Sequence, residues 1–323
     1  MILVTGATGF VGSKFVSSIL DRGGSVKALV RNRTETLPEA VEQVEIGDLS
    51  LFSEVINQNI FVDVQVVIHA AARVHMMNDV SKNPLDEFRK VNTQATLQLA
   101  RNAAESGVKR FVFLSSIKVN GEDTSSNHPF SPDDKFVPTD PYGLSKYEAE
   151  QGLIALAEET EMEVVIIRPP LVYGPGVRAN FASMLKWVYK QVPLPLGAVN
   201  NKRSLVALEN LVDFMIFCTD YKKTPDAKNE VFLISDGEDV STTQLLRKVA
   251  KAFNKKPLLL PIPIFLMTTV ANLLGKEDVA KRLFSSLQVD SSKARDLLGW
   301  KPVITMDEQL NKTAKSYLEN NNA

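Results

Sequence analysis

Tyr142 and Lys146, in the stretch PYGLSKYEAE, stand four residues apart. On a helix that spacing sets both side chains on one face. The pairing suits a general acid/base beside a cation. A phenol with its ordinary pKa near ~10 is a poor base at neutral pH. A neighbouring ammonium lowers that value, and so does the positive end of a helix dipole. Thr139 or Asp140 can cap the helix and Pro141 suits its first turn, which puts Tyr142 near the N-terminus. Y-x-x-x-K alone recurs by chance in helices, so the surroundings decide. Upstream, FVFLSSIKVNG ends an apolar run on Ser115 and Ser116, whose hydroxyls could bond an alkoxide or a carbonyl. Asn92, in VNTQAT, falls on a helical stretch facing the same crevice.

Such a set needs a scaffold that brings distant segments together. MILVTG, SVKALV, VQVVIHAA, RFVFLSS and EVVIIRPP are short apolar runs that alternate with helical patterns, one of them at residues 51–58. Continuous Val/Ile/Leu runs suit strands buried on both faces. The alternation predicts an α/β fold, a doubly wound parallel sheet of the Rossmann type. After about Pro175 the texture becomes less regular. We read residues 1–174 as a dinucleotide-binding domain with the catalytic residues. Residues 175–323 read mainly as a smaller, irregular substrate-binding part, with some segments returning to the sheet.

LVTGATGFVG sets Gly6, Gly9 and Gly12 between a strand and a helix. Glycine allows the tight turn and the approach of backbone to a pyrophosphate, and the helix N-terminus supplies N–H donors. An oxidised nicotinamide close to Tyr142 would lower its pKa further. Roughly twenty residues on, where an acid would hold the adenosine ribose, the chain has Arg31, with Arg33 beside it. A guanidinium can bind a 2′-phosphate bidentately. NADP(H) is therefore favoured, with NAD(H) left open.

The composition bounds the rest. The 323 residues carry 37 Lys+Arg against 38 Asp+Glu, so no bias points to nucleic acid. One cysteine, Cys218, and three histidines offer no zinc set, and no metal is expected. The run Pro257–Gly275 is uncharged but broken by Pro261 and Pro263, which leaves too little helix to span a bilayer. It reads as core or lid packing, with membrane-surface contact as the alternative. A cytoplasmic protein without an integral membrane segment is expected.

The glycine spacing, Asn92, Ser116, Tyr142 and Lys146 together resemble the extended short-chain dehydrogenase/reductases of the nucleotide-sugar epimerase/dehydratase family. The resemblance covers essentially the whole chain. It implies that Ser116 bonds the reacting oxygen and Tyr142 is the acid/base. Lys146 would hold the nicotinamide ribose and tune Tyr142, and Asn92 would support the helix and a relay. It extends the cofactor set to Thr8, Phe10, Val11, Asp48, Leu49, Ala70, Ala71, Ala72 and Pro169, with Asp48 accepting from the adenine amino group. It implies a UDP-sugar partner held by Arg203, in NNKRSLVALENLVD, and Arg282, in KRLFSSLQVDSSKARDLLGWKP. Asn180 is a further substrate candidate, and a homodimer follows from the same likeness. Leu171 stands where the family often has an asparagine, which removes one usual diphosphate contact.

Two reactions at C4 fit this set. Arg31 favours a reductase of a UDP-4-keto-6-deoxy-N-acetylhexosamine, of the kind that serves bacterial surface polysaccharide such as O-antigen. The alternative is a UDP-sugar 4-epimerase of the UDP-glucose or UDP-N-acetylglucosamine type. A non-catalytic dinucleotide sensor is a distant third, since it would be expected to lack Tyr142 or Lys146. A 4,6-dehydratase is disfavoured, because no Asp-Glu pair follows a threonine near Tyr142.

Overall fold

A computed structural model describes residues 1–49, 58–74, 83–124 and 128–322. The helix expected at 51–58 lies almost wholly outside them. Seven parallel strands form one sheet in the order β3-β2-β1-β4-β5-β6-β9. They are β1 (Ile2–Thr5), β2 (Val26–Val30), β3 (Glu42–Glu45), β4 (Val66–His69), β5 (Arg110–Leu114), β6 (Glu163–Arg168) and β9 (Glu230–Leu233). A separate pair joins β7 (Leu171–Tyr173) to β8 (Leu205–Ala207). The order runs outward from β1 in both directions, so the carboxyl ends of β1 and β4 open a crevice at the switch point.

The apolar runs are continuous because both faces of the sheet are covered. Val4, Ala28, Ile68, Val112 and Val165 point into one core layer with the helix α1 (Phe10–Asp21). Leu3, Leu29, Val67, Phe111 and Val164 point into the other. That second layer is closed by two helices. One runs from α2 (Pro84–Phe88) through a wider π-type turn at Arg89–Gln94 into α3 (Ala95–Glu105), and the other is α4 (Pro141–Glu159). Cys218 is buried, and burial pushes its thiol up to about 12, so it acts as a small apolar filler.

The later half returns to the sheet once, through β9. A third core joins α5 (Ala179–Tyr189), α7 (Thr242–Ala252) and α11 (Met306–Asn322); α6 (Leu208–Phe217) instead packs on α1's layer. The uncharged run forms α8 (Ile264–Leu273), which buries none of its residues and leaves Phe265, Val270 and Leu273 exposed. The expected core packing is therefore limited to its partly buried Ile264 and Met267. Two short helices, α9 (Glu277–Phe284) and α10 (Ser292–Leu298), precede α11. Among the described residues no helix is long and apolar enough to cross a membrane.

Candidate active site

Gly6 ends β1 with φ +70°, a left-handed conformation suited to glycine. A Cβ there would lie 2.7 Å from Ala71 N, so the turn and the loop after β4 touch backbone to backbone. A Cβ on Gly12 would lie 2.1 Å from the Gly6 carbonyl oxygen, so α1 can close on the turn only with glycine there. Gly9 caps α1 with no side-chain bond, and the first turn holds no acid. The helix therefore offers its N–H groups and its positive end to an anion. Thr8, Gly9 and Phe10 line a cavity of about 400 Å3 together with Lys14, Pro175, Gly176 and Glu209. These residues fit a dinucleotide's diphosphate. Arg178, absent from the sequence reading, also lines the cavity, while Asn180 is exposed on the first turn of α5.

The other cofactor candidates lie beyond the carboxyl ends of β1, β2, β3, β4 and β6. Val11 is half-buried on α1 and Ala70, Ala71 and Ala72 follow β4. Arg31 and Arg33 are exposed just beyond β2, and Asp48 is exposed beyond β3. Leu49 packs against the second core layer. Pro169 is buried and its carbonyl accepts the Ile117 N–H at 3.0 Å, which fixes the chain after Ser116.

Asp140, not Thr139, caps α4, accepting from Gly143 N at 3.0 Å. Tyr142 and Lys146 then stand on one face of the helix. Ser116 hydrogen-bonds the Tyr142 hydroxyl. Lys146 is buried and donates from Nζ to the Leu114 carbonyl at 2.9 Å, with its ammonium 4.4 Å from the centre of the Phe113 ring. Burial brings Lys146 down to about 7, against the upward pull of Glu150. Tyr142 departs from expectation: burial raises it to about 12, although the Ser116 hydrogen bond works the other way. Desolvation of the phenolate dominates, and the nearby Asp140 carboxylate adds to the rise.

Asn92 sits inside the π-type turn. Its Oδ1 accepts from Arg73 N at 2.8 Å, and its Nδ2 donates to Arg73 O and to Ser145 Oγ, both at 3.0 Å. Ser145 in turn donates to the Tyr142 carbonyl at 2.8 Å. Asn92 thus ties the loop after β4 to the helix that carries Tyr142 and Lys146. Behind Lys146 lies a layer the sequence reading missed. Glu150 and Arg168 form a buried two-pronged ion pair, closest at 2.5 Å, to which Ser115 and Asn120 also bond. Glu150 follows Lys146 by four residues, so helical spacing alone could have put it on the same face.

The Arg203 guanidinium donates to the carbonyls of Arg282 and Ser285 at 2.8 and 3.2 Å. The two arginines named from sequence are therefore neighbours. Burial lowers the Arg203 pKa below its usual value, while Arg282 is exposed on α9. Leu171 is exposed on β7.

Residues 2–234 match the NAD dependent epimerase/dehydratase family. Over 323 residues, 99% of this chain and 96% of that protein, the sequence is 47% identical to a UDP-glucose 4-epimerase of Vibrio cholerae. It is 24% identical to a dTDP-4-dehydro-6-deoxyglucose reductase of Escherichia coli, over 98% of this chain and 96% of that one. The fold superimposes on a UDP-glucuronic acid 4-epimerase from Bacillus cereus in complex with NAD, with TM-score 0.77, 20% identity and 98% coverage of each chain. The glycine turn at the start of α1, the Tyr142–Lys146 pair on one face of α4 and this full-length likeness agree: the chain belongs to the NAD-dependent epimerase/dehydratase family.

Proposed function

We propose that this protein interconverts the C4 epimers of a UDP-hexose with a resident nicotinamide dinucleotide. The observation that carries the reaction is the 47% identity, over nearly the full length of both chains, to a UDP-glucose 4-epimerase. It shifts the balance away from the reductase that Arg31 suggested. When bound, the dinucleotide supplies a hydride acceptor and donor for C4. Tyr142 takes the C4 hydroxyl proton as that carbon is oxidised and returns it on reduction. Ser116 hydrogen-bonds the same oxygen and steadies its charge as it becomes a carbonyl. Lys146, one helical turn on from Tyr142, would hold the dinucleotide's ribose, and its charge on that face of the helix would favour the phenolate. Arg203 and Arg282 would meet the sugar nucleotide's diphosphate, whose two negative charges suit two guanidinium groups. Residues 1–174 hold the dinucleotide and residues 175–323 mainly the sugar nucleotide.

A second reading rests on Arg31 and Arg33, exposed beyond β2 where a 2′-phosphate would be met. It is the NADPH-dependent reduction of a UDP-4-keto-6-deoxy sugar. One experiment separates the two. The purified protein is denatured and its released dinucleotide identified. The native protein is then incubated with UDP-glucose or UDP-N-acetylglucosamine without added cofactor. Epimer formation on a retained NAD supports the proposal. No epimer, together with NADPH-dependent loss of a UDP-4-keto-6-deoxy sugar, overturns it in favour of the reductase. The homodimer belongs to the same proposal and is tested by light scattering of the purified chain.

A further inference from the structure

His69 is the polar residue at the end of β4, a strand otherwise built of Val and Ile. It is fully buried. Its Nδ1 meets Thr5 Oγ1 at 2.7 Å and its Nε2 meets Thr96 Oγ1 at 2.9 Å. Thr5 Oγ1 also accepts the Ala71 N–H at 3.2 Å. The Ala71 N–H, the Thr5 hydroxyl and both ring nitrogens are all satisfied when the ring proton sits on Nε2. Burial, helped by the Lys146 charge, lowers His69 to about 3, so the ring is neutral. The same ring stacks on Phe113, with centroids 5.8 Å apart and planes 15° from parallel. Phe113 is the ring on which the Lys146 ammonium rests.

An apolar side chain would fill this core position without having to satisfy two polar atoms. What the imidazole adds is a connection. On one side, through Thr5, it braces the contact of Gly6 with the Ala70–Ala72 loop. On the other, through Phe113, it backs the seat of Lys146. We propose that His69 is a positioning residue that couples the seating of the dinucleotide turn to the placement of the Lys146 ammonium. This rests on the reading of that turn and of Lys146 given above.

Two full-length variants separate the two connections. His69→Phe keeps an aromatic ring against Phe113 and gives up both hydrogen bonds. His69→Asn keeps a polar atom near the position of Nδ1, for Thr5, and gives up the ring. Each, like the parent, is stripped of retained dinucleotide, titrated with NAD+, assayed for UDP-galactose turnover at saturating dinucleotide, and melted. His69→Phe is expected to bind NAD+ about tenfold more weakly, the scale of one buried hydrogen bond, with kcat within about twofold of the parent. His69→Asn is expected to reverse the pattern, with NAD+ affinity within about twofold and kcat about tenfold lower. Loss of both quantities together in each variant, in step with the melting temperature, overturns the proposal, as does no change in either.

If either histidine variant fails to fold, Thr5→Ser and Thr5→Val replace the pair. The serine is expected to keep NAD+ affinity and the valine to lose about tenfold. Equal behaviour of the two overturns the proposal. If the parent binds NAD+ but turns over no UDP-sugar, the proposed reaction fails while the NAD+ titrations still decide the role of His69.

Discussion

Tyr142 is a half-buried phenol near the N-terminus of its helix, raised to about 12 chiefly by desolvation and hydrogen-bonded to Ser116. It serves as an acid/base only if its ionisation is assisted at the moment of reaction. Tyr142→Phe keeps the ring and its edge contact with Phe88, 6.0 Å away. It is expected to cut turnover by about 10²–10⁴-fold, the range of a lost general acid/base, while NAD+ titration stays unchanged. His69 makes a second statement at this scale. Its folded pKa of about 3 lies below the ordinary 6.5. Between those values the unfolded chain takes up a proton that the native ring refuses. Stability therefore falls as pH drops through that window, by up to about 1.4 kcal/mol per pH unit, and this group contributes no slope above it. Urea unfolding from about pH 7 down to about pH 4 should show a shallower loss in His69→Asn than in the parent.

At the scale of elements, two junctions hold the site. The first is α1 on β1. Gly12→Ala puts a methyl 2.1 Å from the Gly6 carbonyl, and backbone cannot yield as a side chain would. The helix must move away from the turn, so NAD+ affinity and melting temperature should both fall, read by titration and by calorimetry. The second is α4 against β6. Glu150 and Arg168 are buried, and Glu150→Gln would leave the guanidinium without its counter-charge. The expected cost is about 3–5 kcal/mol in urea unfolding. Because Glu150 raises the Lys146 pKa, its removal should also move the lysine's limb of the kcat–pH profile to lower pH.

Over the whole molecule, strand order determines what meets what. β1, β4 and β5 are adjacent, so the segments after them, from positions 6, 70 and 115, come to one edge of the sheet. The later half joins the sheet through β9 and pairs β8 with β7, the strand that follows β6. It brings Arg203 beside α9, which carries Arg282. Arg282 is exposed, so Arg282→Ala should leave the melting temperature unchanged. It should raise KM for the UDP-sugar severalfold or more without weakening NAD+ binding, because a charged contact to phosphate is lost. A matching rise in the NAD+ dissociation constant would put Arg282 outside the substrate site.

The glycine spacing, the Tyr142–Lys146 interval and the apolar runs were legible in the chain itself, because each is a local rule. Backbone conformation, helical periodicity and two-sided burial are all written within a few residues. The same rules named Arg203 and Arg282 only by family likeness; their contact spans 79 residues and is made by tertiary packing. Tyr142's pKa went opposite to the local expectation, since desolvation depends on what the rest of the molecule places around the ring. His69 and Glu150 were passed over for a related reason. Their partners, Thr96 and Phe113 for His69 and Arg168 for Glu150, come from other elements of the fold. Local pattern in the chain sets which chemistry can be done and on which elements it rides. How charges and hydrogen bonds are shared there is a matter of packing, because it depends on neighbours distant in the chain and on the exclusion of water.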